Sequence, residues 1–190
     1  MKYYLTIISA LLILASCDKP VVNPEPTMNY IDLENKEVKF SESASVDINK
    51  DAIADVRFST KFLGDPIAKK DMHIYLASSR GSCRLPVDAD ENAPVLFKGD
   101  VIPLENFAGH TWYENTQIQL AQKIVGITGE PFWEGLWKSS NHQYLPLQVM
   151  VNKQRFNGWI ELSFDTNGEK IILHKAAISK MPEKYVVAGI

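Results

Sequence analysis

Apolar residues recur at every second position through much of this chain, the period of β-strands half buried against a core. Val56, Phe58, Thr60 and Phe62 alternate with Arg57, Ser59 and Lys61. Met72, Ile74 and Leu76 alternate with His73, Tyr75 and Ala77. Leu145, Leu147, Val149 and Val151 share a face, and Asn152-Lys153-Gln154 reads as a turn into a second strand. There Phe156, Gly158, Ile160, Leu162 and Phe164 point one way, and Asn157, Trp159, Glu161 and Ser163 the other. Asn167-Gly168 follows, a strong hairpin signal, and Ile171 to Ile178 returns. Residues 145–178 are therefore predicted to form sequential antiparallel strands.

Residues 117–125 fit two periods. Ile118, Ala121, Ile124 and Val125 make a helical stripe with Gly126 as its stop, whereas Ile118, Leu120 and Ile124 suit a strand. The helix is slightly preferred and the strand stays open. Short strands punctuated by Gly, Pro and Asn predict a mainly β chain, an antiparallel β-sandwich with one short helix around 117–125. No internal repeat is present.

The first residues follow another rule. Lys2 is a positive start, Tyr3 to Ala15 is uncharged and mostly apolar, and Leu14-Ala15-Ser16-Cys17 closes the run. A spanning helix needs about 20 apolar residues, and this run is shorter, so residues 1–16 read as a secretory signal peptide. Its end resembles a bacterial lipobox: a branched apolar residue, two small ones, then a cysteine. The nearer rival, a leader cut to a soluble product, lacks its A-x-A site. The lipobox implies that the Cys17 thiol receives a diacylglycerol and that the new N-terminus is acylated; several chains are what stable anchoring requires. The implied partner is the membrane, through the lipid. Residues 17–29 carry Pro20, Pro24 and Pro26 and read as an extended tether. Residues 30–190 are expected to form one domain.

Charge narrows the partners. The chain carries a net charge of −3, and loss of Lys2 with the leader makes it −4, which argues against nucleic acid or an anionic surface as the main partner. Cys17 and Cys83 are the two cysteines. With Cys17 lipidated, Cys83 has no intramolecular partner and is expected to be a structural thiol despite its neighbours Arg80 and Arg84.

One constellation has metal chemistry. Asp47, Asn49, Asp51 and Asp55 put oxygen-bearing side chains at positions 1, 3, 5 and 9 of a loop, with the Ile53 carbonyl at position 7. Calcium takes six to eight oxygens, and such spacing aims them at one point. Two departures stand out: Ala52 occupies the position that Gly usually holds, and Phe58 stands where an EF-hand has Glu. The alternative is an Asp/Asn-rich turn whose side chains cap the backbone. If calcium (Ca2+) binds, its role is to pin two strands.

The run Asp-Ile-Asn-Lys-Asp with Asp55-Val56-Arg57-Phe58, taken with Arg155-Phe156-Asn157-Gly158-Trp159-Ile160, resembles a loose group of secreted bacterial β-sandwich domains, many of them lipoproteins of Bacteroidota-type bacteria. The resemblance implies the fold and the envelope as compartment, and no activity. Ala52 and Asn157 depart from the group's usual Gly and aromatic.

The second half is rich in aromatics. Trp133 and Trp137, four apart, would stack on sugar rings if exposed, and pack the core if not. His73, His110, His142 and His174 are spread without zinc spacing, and Glu130, Glu134 and Glu161 form no recognisable catalytic pair. No catalytic motif is found. The expected function is a lipid-anchored envelope protein, structural or binding, with calcium as stabiliser; the alternative is a glycan-binding accessory protein of polysaccharide uptake, and a glycan hydrolase comes third. Asp18 after Cys17 resembles an inner-membrane retention signal of enteric bacteria, a rule that often fails in other phyla, so the outer membrane is the expected site with the leaflet open.

Overall fold

A computed structural model describes residues 27–190. The leader, Cys17 and the tether up to Pro26 lie outside the described residues. The described chain is all β. A six-stranded antiparallel sheet runs in the order β1 (Met28–Lys39), β12 (Lys170–Ser179), β11 (Gln154–Asp165), β10 (Gln143–Val151), β5 (Cys83–Val87), β7 (Thr111–Glu114). A five-stranded sheet runs β2 (Ser43–Val46), β3 (Val56–Asp65), β4 (Lys70–Ser79), β8 (Gln117–Gly126), β9 (Phe132–Glu134). A short pair, β6 (Val101–Ile102) with β13 (Val186–Val187), forms a two-stranded sheet of its own. Folded structure begins at Met28, two residues before the expected Tyr30.

The main core lies between the sheets, as in a β-sandwich. Val56, Phe58, Tyr75, Ala77, Ile118 and Leu120 from one sheet join Leu145, Leu147, Ile160, Leu162 and Leu173 from the other. On β4 this face belongs to Tyr75 and Ala77. A second cluster covers the outside of the six-stranded sheet: Trp159 packs with Met28, Ile102, Tyr144, Val186 and Ala188. Asn157, also on that outer face, is fully buried. Its side-chain amide donates to the carbonyls of Ile102 and Pro103 at 3.0 Å each and accepts from Gln148 at 2.9 Å. A polar pair thus straps residues 102–103 over the sheet, with its hydrogen bonds made as burial demands.

Turn chemistry explains the hairpins. Val151 pairs with Gln154, and Asn152 and Lys153 between them have φ of 50° and 65°, the two left-handed residues of a type I′ turn. The Asn167-Gly168 hairpin is longer: Asp165 pairs with Lys170, and the Asp165 carboxylate accepts the N–H groups of Asn167 and Gly168.

The helix expected over 117–125 is a strand, β8. Tyr75 faces Ala121 while Leu76 faces Gln119, so Leu120 is an extra residue, a β-bulge. Ile118 and Leu120 point into the core, and the bulge turns the next residue, Ala121, in as well. That break in alternation imitates a helical stripe. The spare Leu120 carbonyl accepts the Trp137 N–H at 3.1 Å.

Candidate functional site

Two regions bring chemical side chains together. The acidic loop joins β2 to β3. Asp47 accepts the backbone N–H groups of Lys50, Asp51 and Ala52 at 2.7, 3.2 and 2.8 Å. Asn49 and Asp51 exchange two hydrogen bonds, at 3.0 and 2.9 Å, and Asp51 accepts the Ile53 N–H at 2.8 Å. Asp55 is 5 % exposed, and one of its oxygens accepts the N–H of Ile48 at 2.8 Å and of Asn49 at 3.4 Å. Its carboxyl is pushed up to about 6, chiefly by burial, with the backbone donors pulling the other way.

The five residues singled out for calcium are thus adjacent in space, and all three carboxylates already serve as caps for N–H groups. Ala52 sits at φ 70°, the left-handed conformation that glycine adopts more cheaply. Among the described residues, no group of three His, Cys, Asp or Glu side chains is arranged as a metal site.

The second region gives no local signal in the sequence. The imidazoles of His142 and His174 stack at 4.0 Å and 19°. His142 Nδ1 lies 2.7 Å from a Glu161 oxygen, His174 Nδ1 lies 2.7 Å from Asn35 Oδ1, and His174 Nε2 lies 2.8 Å from Ser163 Oγ. With the Asn35 oxygen as acceptor, His174 carries its proton on Nδ1 and accepts the Ser163 hydroxyl on Nε2. Ser163 Oγ also accepts the His142 backbone N–H at 2.9 Å. Burial, then the charge of His142, holds the His174 pKa below its ordinary value, against the opposing pull of Glu161. Beside the pair, the buried Ser140 hydroxyl has no hydrogen-bond partner.

Two irregularities build this cluster. Relative to β11, where Glu161 faces Lys175 and Leu162 faces Leu173, His174 is the extra residue of β12. Relative to β12, strand β1 bulges between Asp32 and Lys36, where Glu34 and Asn35 adopt φ of 55° and 54°. Bulges re-aim side chains, and these two bring Asn35 onto His174. Hydroxyl, imidazole and amide stand in the order used by a serine nucleophile. Ser163, however, is 8 % exposed and its oxygen is already bound to an N–H, which ties it into the scaffold.

The remaining expected residues are dispersed. Trp137 is fully buried and its indole donates to the Ala93 carbonyl at 3.3 Å. Trp133 is partly buried against Tyr75 and Phe164. An exposed Trp133–Trp137 platform is therefore not formed: the Leu120 bulge draws Trp137 into the core. Glu134 accepts from Gln122 in the five-stranded sheet, far in topology from Glu161. Cys83 is a buried free thiol, with its pKa raised by burial and then by Asp55, so it is structural. No family model, curated protein or solved structure matches this chain.

Proposed function

We propose that this is a lipid-anchored envelope protein whose β domain has a structural or binding role close to the membrane. The observation that carries the reading is the Leu14-Ala15-Ser16-Cys17 sequence, followed at Met28 by one β domain. A domain rooted on its first strand suits a tether that short. Cells fed a palmitate analogue are expected to label the wild type and to leave Cys17→Ala unlabelled; equal labelling would remove the anchor.

Calcium stabilisation of the acidic loop is the second element. What favours it is Ala52 at φ 70°, the bend that a calcium loop makes at its sixth position, with Asp47, Asn49 and Asp51 around it. The loop's own hydrogen bonds already close the turn, so calcium would add to a preformed shape. A melting temperature raised by calcium relative to chelator, with no rise in Asp51→Ala, is the expected result. An identical melt in both buffers counts against it. The glycan reading loses its paired platform with Trp137 and rests on partly buried Trp133 alone.

A further inference from the structure

The end of the domain where the tether enters carries an apolar groove between β1 and the C-terminal segment. Met28, Ser179, Met181, Tyr185, Val187 and Ile190 line it. Met181, Tyr185 and Ile190 are 55, 65 and 60 % exposed. Exposed Val101 adjoins them, since it pairs with Val187, and exposed Tyr30 leans at a tilt against Trp159 beside Met28. The Lys180 N–H donates to the Thr27 carbonyl at 2.8 Å, which fastens this segment to the root of the tether. Lys180 and Lys184 are exposed at its rim. Contiguous apolar exposure of this kind marks an interaction surface.

We infer that this face docks on the bilayer that holds the lipid, with Met181, Tyr185 and Ile190 in the headgroup region and Lys180 and Lys184 reaching lipid phosphates. The inference rests on the anchor reading above. The position of the groove selects the occupant. Thr27 lines it, and Cys17 lies ten residues earlier, a span of at most about 35 Å fully extended. The bilayer is thus held beside this end of the domain at high effective concentration. Side chains with an apolar body and a polar tip, Tyr and Lys, are those that settle at such a boundary. The opposite end differs. There β1 ends at Lys39 opposite Lys170, Phe40 stacks on His73, and the β3–β4 turn exposes Ile67.

The test uses the full chain, processed and lipidated in a bacterial host and reconstituted on phosphatidylethanolamine/phosphatidylglycerol vesicles. Cys83 is buried, so Tyr185→Cys or Ile67→Cys supplies the reactive thiol for an environment-sensitive fluorophore. Nitroxide-bearing lipids are expected to quench the label at position 185 at least about threefold more than at 67, and Met181→Asp to cut that difference. Mass analysis of the N-terminal peptide separates the two claims. Lipid on Cys17 with equal quenching at both positions overturns the docking face and leaves the anchor standing. An unmodified Cys17 overturns both. A signal at 185 that follows protein concentration instead of nitroxide lipid assigns the groove to a second copy and overturns the inference.

Discussion

The acidic loop and the imidazole cluster handle charge in opposite ways. The loop gathers three carboxylates within nine residues and gives each an N–H donor of the same segment. The cluster gathers two imidazoles, a hydroxyl and an amide from β1, β11, β12 and the approach to β10. In the loop, burial lifts Asp55 and favours its protonated form. In the cluster, burial and a neighbouring imidazole depress His174 and favour its neutral form. Each site resists its own charge, so the two should respond to acid with opposite sign. A local site satisfies itself; an assembled site depends on the registers that bring it together.

The largest expected break in that comparison is Asp55→Ala. It strands the buried Ile48 N–H and should cost about 2–3 kcal/mol in denaturant unfolding. Ser163→Ala frees the His142 N–H and removes one partner of His174, and about 1–2 kcal/mol is expected. If Ser163→Ala costs more than Asp55→Ala, the ranking of local over assembled site is wrong.

Acid sharpens the contrast. Folded Asp55 keeps a proton from the ordinary carboxyl value of 3.8 up to about 6, where an unfolded carboxyl has lost it. Lowering pH through that window should therefore stabilise the fold, by about 1–3 kcal/mol, and Asp55→Asn should abolish the gain. His174 has the reverse sign: the unfolded imidazole takes its proton first as pH falls through 6.5, so His174→Gln should remove an acid-induced loss. Melting curves across pH 4–8 of the two variants read both signs.

The smallest effect is a gain. Ala52 is left-handed, and Ala52→Gly should stabilise by about 0.5–1 kcal/mol, measured by thermal melt in chelator. A loss there would mean that the bend is held by something other than its backbone preference.

Legibility in the sequence followed the same division. The β-sandwich and the strands over 145–178 were legible because alternation survives along β10 and β11 and breaks in β12 only at the extra residue His174. The loop was legible because its residues are contiguous. Residues 117–125 were misleading because the Leu120 bulge puts Ala121 on the core face out of turn. The cluster had no local trace: Asn35 and His174 are 139 residues apart and meet only through two bulges. The burial of Asn157 was equally hidden, since its partners are carbonyls of residues 102–103 more than fifty residues away.

The β1 bulge has a consequence beyond His174. Strand β1 is the outermost strand of its sheet, hydrogen-bonded there to β12 alone. A free strand edge invites a neighbour to zip on and extend the sheet. At Glu34 and Asn35 the backbone turns left-handed and the ladder is interrupted, and Lys36 and Lys39 follow. An incoming strand cannot run past that point. Where copies of this domain crowd together, this break in the edge guards each against fusing into its neighbour's sheet.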